Sequence, residues 1–329
     1  MSLSFFVCIF AKNGVSCLKR KKGTALTIQK KKVIGYSLFT IFLWASAYPL
    51  TKIAQTHFTV VPLAFLRSFI AGSFMLFIGK FQGMALPKKR HIPLFLLAGA
   101  LGYVIYTVAM NIGLQTLPSA TCSLLVATSP IMTAIIASKV YREKIGPVSW
   151  ISIFIAFSGV MILLLWDSHG AFSIDAAMLW MLLSAASWAG YNIMTRKLVA
   201  IGYTSAQITC FSMLGAALWL CFSAMQGFRE MVTGEPKHFL ALLYLAIISN
   251  AVGCILWAKA LAYAEKTSEV ANFMFLSPLL STLMSFLLLH EVPGMGTFVG
   301  GAIIICGLLL FNLKGQKRNN RKENEKRKG

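Results

Sequence analysis

One arginine stands within an otherwise apolar stretch, at a depth where an unpaired charge is costly. Arg67 lies about seven residues into residues 60–80, which is roughly 10 Å at the rise of an α-helix. A guanidinium can hold a carboxylate through two parallel hydrogen bonds, so Arg67 is a candidate substrate-binding residue. The alternatives are that helix carbonyls or an acid such as Glu291 pair with Arg67, or that its side chain snorkels to the surface.

Two further charges fall within apolar stretches near each other in sequence. Lys259 lies late in residues 239–263, and Glu269 lies early in residues 267–289. An ion pair between them would neutralise two charges that are expensive inside a membrane. The alternative is a charge switch that gains and loses a proton as the protein functions. Glu269 is the acid most clearly within an apolar stretch, and mechanisms with and without proton coupling stay open.

Aromatic and amide side chains recur at positions where a cavity would lie. Aromatic walls with a few placed polar groups are typical of small-molecule pockets. The predicted substrate-binding residues are Arg67 and six of these side chains: Trp44, Tyr48, Tyr106, Trp188, Asn192 and Trp257. The alternative is that they pack against neighbouring helices or lipid, as most membrane aromatics do.

Three prolines occur inside predicted helices. A proline there removes a backbone donor and leaves the carbonyl four residues earlier unpaired. Pro49, Pro130 and Pro278 are therefore predicted to act as hinges or gates, although prolines in membrane helices can also do no more than set packing angles.

Residues for metal, cofactor or nucleophilic chemistry do not cluster in this sequence. The five histidines fall in loops or at the ends of apolar stretches, and the seven cysteines form no CxxC pair. No GxxxxGK[ST] phosphate-binding motif is present. We expect no catalytic residue, no cofactor and no metal site, and hence no enzyme. A membrane-embedded enzyme such as a lipid-modifying transferase is the alternative, and it would need convergent His, Asp or Ser side chains.

The elements that carry these residues are membrane-spanning helices. The chain is 57% hydrophobic and 12% charged, well below the roughly 25% charged residues of soluble domains. Because a helix needs roughly 20 apolar residues to cross a bilayer, the sequence predicts an all-α polytopic membrane protein with ten transmembrane helices. They are expected near residues 33–54, 60–80, 92–114, 118–141, 147–166, 176–197, 205–226, 239–263, 267–289 and 294–314.

The net charge of +21 suggests nucleic acid until the positions of the charges are considered. Lys and Arg concentrate in alternate loops and at both termini, so the positive-inside rule places the N- and C-termini in the cytoplasm. Residues 1–32 are then a basic segment that is cytoplasmic or lies on the membrane surface, and residues 315–329 a disordered cytoplasmic tail. These basic segments would contact membrane lipid, and no nucleic acid is expected.

The same hydrophobic module occurs twice. Ser129, Pro130, Glu143, Gly146 and Gly159 recur 148 positions later as Ser277, Pro278, Glu291, Gly294 and Gly307. Each module, residues 33–166 and residues 176–314, holds five predicted helices. Since five is odd, the second module enters the membrane from the opposite side. Two inverted five-helix repeats around a midplane site are the architecture of alternating access.

A family resemblance follows from these residues. Trp44-Ala45 with Tyr48-Pro49, Phe65-Leu66-Arg67, and the repeated Ser-Pro, Glu and Gly positions resemble the EamA-type branch of the drug/metabolite transporter superfamily. The resemblance covers about residues 33–314. It implies ten helices, cytoplasmic termini and, often, export of amino acids or other small metabolites.

The prediction is thus a secondary transporter of the cytoplasmic (inner or plasma) membrane. It would move a small molecule, an amino acid or related compound or a drug-like molecule, mostly outward. Small residues around Gly296 to Gly301 would let helices approach closely, either within the chain or in a homodimer.

Overall fold

A computed structural model describes residues 22–141, 147–166, 176–263 and 272–326. Most residues in these ranges are helical, and the ranges contain no β-strand. The predicted all-α class is confirmed. The physical reason is that strongly apolar segments satisfy their backbone donors and acceptors most simply within a helix.

The helices follow one another with short connections. In the described ranges they are α1 (Lys22–Gln55), α2 (Val60–Phe81), α3 (Ile92–Gly99), α4 (Tyr106–Thr116), α5 (Ser119–Val126), α6 (Ser129–Val140), α7 (Pro147–Trp166), α8 (Ala176–Ile201), α9 (Ser205–Trp219), α10 (Ala224–Thr233), α11 (Pro236–Leu243), α12 (Gly253–Tyr263), α13 (Ser277–Leu289) and α14 (Met295–Lys326). Wide π-helical turns join α3 to α4 (Ala100–Ile105) and α11 to α12 (Tyr244–Val252). Tight 3₁₀ turns precede α3 (Lys89–His91), α10 (Cys221–Ser223) and α13 (Asn272–Leu276).

Several helices are long and apolar enough to cross a membrane. Within the described residues five satisfy this test, and a sixth does if α9 and the segment Cys221–Thr233, which are bent by 62°, are taken together. α8 has 26 residues and is not among them, because polar side chains such as Ser184, Ser187 and Asn192 lower its mean hydropathy. The predicted count of ten spans and their inverted layout stay predictions.

Both ends of the described chain are more helical than the sequence suggested. α1 already begins at Lys22, within the predicted surface segment, and α14 continues to Lys326, within the tail predicted to be disordered. Lys, Arg, Glu and Gln are good helix formers, so a tail rich in them can extend an existing helix without burying apolar surface.

Two of the three prolines lie at breaks between helices. Pro130 and Pro278 occupy the first turn of α6 and α13, where the missing backbone donor has no carbonyl to lose. Each new helix begins after a short turn, at Ala127 and Thr128 in one case and at the 3₁₀ turn in the other. Pro49, in contrast, lies inside α1. The bends predicted at Pro130 and Pro278 are therefore helix starts rather than kinks in continuous helices.

Glycines bring α7 and α14 into close contact. A Cβ added to Gly159 would lie 2.7 Å from the carbonyl oxygen of Gly300, and one added to Gly307 would lie 2.6 Å from the backbone nitrogen of Ala156. A Cβ on Gly301 would lie 2.8 Å from a Leu124 methyl group. These small residues therefore serve packing within the chain, and a homodimer stays a prediction.

Short connections make successive long helices antiparallel, so the bundle has two faces. We call one the Glu291 face: it carries Lys52, Ser119, Glu230 and Glu291. We call the other the Tyr141 face, where the guanidinium carbon of Arg196 lies 4.2 Å from the centre of the Tyr141 ring. Charged side chains of both signs occupy the Glu291 face. The Tyr141 face carries basic side chains from the described loops and helix ends: Lys31, Lys32, Lys80, Lys88, Lys89, Arg90, Lys139, Arg196 and Lys197.

Candidate functional site

A cavity of about 90 Å³ lies in the middle of the bundle. Helices from both sequence modules contribute to it, and its walls are mostly aromatic or apolar with a few hydroxyls and one amide. The lining residues are Trp44, Ala47, Tyr48, Arg67, Tyr103, Tyr106, Thr107, Met110, Ser123, Val126, Ala127, Trp188, Ser249, Asn250, Cys254, Met274 and Ser277. Such a lining is typical of a small-molecule site. We call this space the central cavity.

Arg67 brings a positive charge to the central cavity. Its side chain is 4% exposed, and its guanidinium donates two long hydrogen bonds of 3.4 Å, to Thr51 Oγ1 and to Asn250 Oδ1. The buried Nε has no hydrogen-bond partner. Among the described residues no carboxylate forms a salt bridge with Arg67. A buried guanidinium with weak neutral partners retains the capacity to bind an anion.

An aromatic layer separates the central cavity from a second one. The Trp44 and Trp257 rings lie 5.3 Å apart, and Tyr106 and Trp188 lie 4.9 Å apart. Trp44 is fixed by a hydrogen bond of 3.2 Å from its Nε1 to the carbonyl oxygen of Ser249. These four rings make up the aromatic layer. The residues that line both cavities are Trp44, Tyr103, Trp188, Cys254 and Met274.

The second cavity has a volume of about 420 Å³ and lies towards the Tyr141 face. Besides residues of the aromatic layer, its lining includes Pro130 and Asn192, whose Nδ2 donates to Thr133 Oγ1 at 3.3 Å. It also includes Ser205, an exposed residue at the first position of α9. This larger space, which we call the entry cavity, therefore extends to the end of the bundle.

A group of polar contacts, which we call the latch, lies beyond the opposite end of the central cavity. Lys52, one helical turn beyond Tyr48 on α1, forms a salt bridge with Glu291. The other carboxylate oxygen of Glu291 accepts a hydrogen bond of 2.9 Å from the backbone N–H of Ser119. Both side chains are about one fifth exposed, at 20% and 21%. The latch thus connects the end of α1, the start of α5 and the turn after α13.

The two π-helical turns place polar groups against the central cavity. The first carries Tyr103, and the second carries Ser249 and Asn250. A π-turn widens the helix and shifts its backbone hydrogen bonds, and such turns recur at functional sites. Here the carbonyl of Ser249 becomes available to Trp44, and the Asn250 amide reaches Arg67.

The structure brings the predicted substrate-binding residues together. Tyr48, Arg67 and Tyr106 line the central cavity, Asn192 and Trp257 line the entry cavity, and Trp44 and Trp188 line both. Their role in binding substrate stays a prediction.

The predicted charge pairs fare differently. Glu291, considered as a partner of Arg67, forms a salt bridge with Lys52 instead. The reason is position: Lys52 ends near the turn after α13, whereas Arg67 lies deeper. Lys259 is half-buried on α12, and Glu269 lies outside the described residues.

Sequence reasoning missed several lining residues. Tyr103 of the first π-turn lies with Tyr106, Thr107 and Met110 of α4 along one face of the helix. Their spacing of three to four residues is that expected of a helix. That spacing is the feature of the sequence that could have identified these lining residues. Cys254 and Met274 also line the cavities, and no local pattern in the sequence distinguishes them from other apolar residues.

Gly253 sets the position of Trp44, which yields a prediction. A Cβ at residue 253 would lie 2.7 Å from Trp44 Nε1. We expect Gly253→Ala to displace the indole, weaken its bond to Ser249 and lower the free energy of unfolding in detergent by about 1 to 3 kcal/mol. The control is Gly35→Ala, since a Cβ there meets nothing within 4 Å. Equal stability of the two variants, measured by thermal unfolding, would contradict this role.

Comparisons with known proteins agree with this architecture. The sequence profile of the EamA-like transporter family matches residues 31–165 and again residues 175–313. A probable terminal-alkyne amino-acid exporter of Streptantibioticus cattleyicolor is 27% identical, over 87% of this chain and 96% of its own length. A probable amino-acid metabolite efflux pump of Escherichia coli is 25% identical, over 85% of this chain and 95% of its own. A solved crystal structure with 17% identity and a TM-score of 0.60 covers 88% of this chain and 98% of that one.

These observations define a class first. A helical bundle of long apolar helices, with an aromatic cavity at its centre, is a multi-pass membrane protein. The family profile matches most of the sequence, in two copies. The chain belongs to the EamA-like transporter family.

Proposed function

We propose that this chain is a secondary transporter that exports a small organic metabolite by alternating access. One observation carries the proposal: two adjoining cavities are lined by residues of both family-matched segments, and the one exposed residue among their described lining, Ser205, lies at the Tyr141 face. The latch of Lys52, Glu291 and Ser119 closes the Glu291 face. On the Tyr141 face the entry cavity reaches the exposed Ser205.

The charges support an orientation. The described loops and helix ends of the Tyr141 face carry Lys and Arg, and cytoplasmic loops are enriched in these residues. We infer that the Tyr141 face is cytoplasmic, as are both termini, and that the membrane is the cytoplasmic membrane. The structure then corresponds to an inward-open state, in which substrate enters from the cytoplasm.

The relatives support the choice of cargo and direction. Two of them are described as a probable amino-acid exporter and a probable amino-acid metabolite efflux pump. We infer a related cargo here, an organic compound small enough for the aromatic cavities, moved outward. Trp44, Tyr48, Arg67, Tyr106, Trp188, Asn192 and Trp257 would contact it.

The helix breaks suggest how the gates move. Pro130 lines the entry cavity, and Pro278 occupies the corresponding position of the second module. Because each begins a helix after a short turn, α6 and α13 can change angle at that turn while the hydrogen bonds inside each helix stay intact. We assign hinge roles to both prolines and to Pro49, which lies in the C-terminal half of α1 near Lys52.

A counterflow experiment tests the proposal. The purified protein is reconstituted in liposomes loaded with an unlabelled compound, and uptake of the labelled compound is followed. We expect saturable uptake that internal compound accelerates, for at least one member of a panel of amino acids, N-acetyl amino acids and simple carboxylates.

Protein-free liposomes and Arg229→Gln protein are the controls. Arg229 is an exposed arginine on α10, away from both cavities, so its loss should leave exchange unchanged. Absence of counterflow across the whole panel would argue against a transporter of this cargo class.

A further inference from the structure

The two cavities have an unbalanced charge. Among the described residues that line them, Arg67 is a cation and no side chain is an acid. Arg67 is buried. The entry cavity, whose described lining holds no carboxylate, extends from the aromatic layer to Asn192 and Thr195. A buried positive charge with no acid beside it among the described residues favours a ligand that brings one negative charge and no positive charge.

Hydrogen-bonding capacity points the same way. Arg67 Nε has no partner, and the hydrogen bonds from its other two nitrogens are long, at 3.4 Å. The Arg67 guanidinium therefore has hydrogen-bond donors available for a ligand. Its acceptors are partly used: Asn250 Oδ1 faces Arg67, and the carbonyl of Ser249 accepts from Trp44. A ligand carboxylate would satisfy the donors, whereas a ligand ammonium would need acceptors and would be repelled by Arg67.

The dimensions suggest how such a ligand lies. The central cavity, at about 90 Å³, is the smaller of the two and holds Arg67, so it suits the carboxylate end of a ligand. The entry cavity, at about 420 Å³, has room for an apolar or aromatic body between Trp188 and Trp257. A molecule with a carboxylate at one end and an apolar body at the other would place these parts on opposite sides of the aromatic layer.

We propose that the substrate is an organic carboxylate with a net charge of minus one, its carboxylate on Arg67 and its body in the entry cavity. This inference rests on the proposed function and narrows it. Carboxylates that lack an amine, or whose amine is acylated, are preferred over the corresponding zwitterionic amino acids. The complex with Arg67 is then electrically neutral within the membrane.

Four ligands of similar size separate charge from shape. Hydrocinnamate is a monoanion, hydrocinnamamide is its neutral isostere, phenylalanine adds an ammonium to hydrocinnamate, and phenethylamine is a cation. Titration calorimetry on the purified wild-type protein measures each Kd. We expect hydrocinnamate to bind about tenfold or more tightly than each of the other three, since tenfold is what one additional charge-assisted hydrogen bond typically contributes.

The Arg67→Gln variant tests whether Arg67 causes the preference. Glutamine retains a donor but no charge, so hydrocinnamate and hydrocinnamamide should bind to it with Kd values within about twofold of each other. Arg229→Gln, which removes an exposed arginine, should keep the wild-type preference. A circular dichroism spectrum and a gel-filtration profile show whether each variant is folded.

Several outcomes would overturn the inference. Phenylalanine binding as tightly as hydrocinnamate would do so, as would hydrocinnamate failing to bind, or a charge preference that survives in Arg67→Gln. Failure of the proposed function appears differently: hydrocinnamate would bind with the expected preference, yet no compound would undergo counterflow. Counterflow that favours phenylalanine would refute the inference alone.

Discussion

Replacing Arg67 by methionine is expected to stabilise the protein while it abolishes binding of carboxylates. Arg67 is 4% exposed, its Nε is unpaired, and its two hydrogen bonds measure 3.4 Å. The guanidinium thus loses its hydration without gaining good partners. Methionine has a similar length and no charge, so it removes this desolvation cost and can fill the same space.

The expected change in the free energy of unfolding is an increase of about 1 to 3 kcal/mol, in line with the cost of placing an arginine in the middle of a membrane helix. Thermal unfolding in detergent measures it, and it should appear as a higher apparent Tm. The Arg67→Lys variant is the control: it retains the charge but loses the planar fork, so it should not be stabilised.

The opposite result would assign Arg67 a structural role. If Arg67 holds α1, α2 and the second π-turn together through Thr51 and Asn250, methionine would lower the stability by a similar amount. A residue that destabilises the fold yet is required for binding is typical of a functional site. A rise in stability together with a loss of binding is therefore the result that distinguishes the two roles.

Local patterns in the sequence were sufficient for the helical class and for many lining residues. Trp44, Trp188 and Trp257 were identified because they are aromatic side chains in apolar helices at positions where a cavity would lie. Burial of an aromatic residue depends mainly on which helix face it occupies, and the helical period shows that face directly.

Contacts between distant segments could not be predicted in the same way. Lys52 and Glu291 are 239 positions apart, and which acid meets which lysine depends on the angles between helices. The π-turns that carry Tyr103 and Asn250 were also missed, because a widened turn differs from an α-helix by one residue per turn and leaves no composition signal. Pro130 and Pro278 were found, but as kinks rather than as helix starts.

Breaking the latch on the Glu291 face should open the central cavity on that side. Lys52 and Glu291 form a salt bridge that is largely shielded from solvent, and Glu291 also accepts the Ser119 N–H at 2.9 Å. Such charge-assisted bonds contribute about 1.5 to 3 kcal/mol each. Removing one partner therefore shifts the balance between closed and open states: a loss of about 1 kcal/mol shifts it roughly fivefold, and a loss of about 2 kcal/mol roughly thirtyfold.

Cys254 provides the measurement because its side chain lines both cavities. In a variant that keeps Cys254 and replaces the other six cysteines by serine, a membrane-impermeant maleimide is added either to intact cells or to inside-out vesicles. With the latch intact, labelling should be faster in the vesicles, from the Tyr141 face. In Lys52→Met or Glu291→Gln, labelling in intact cells should rise by about tenfold.

The same face offers a matched control. Lys237 and Glu235 also form a salt bridge, of 2.9 Å, but their side chains are 60% and 66% exposed and lie away from the cavities. An exposed pair of this kind contributes little, so Lys237→Met should leave the labelling rate unchanged.

Exchanging the two charges adds a quantitative test of the latch. In the double variant Lys52→Glu with Glu291→Lys the attraction between the side chains returns, but a lysine at position 291 cannot accept the hydrogen bond from Ser119. Labelling from outside should therefore fall only partway towards the value of the intact latch. Full closure would mean that the Ser119 bond contributes nothing. If both single variants and the double variant stay unlabelled from outside, other contacts seal this face and the latch does not control access to the cavity.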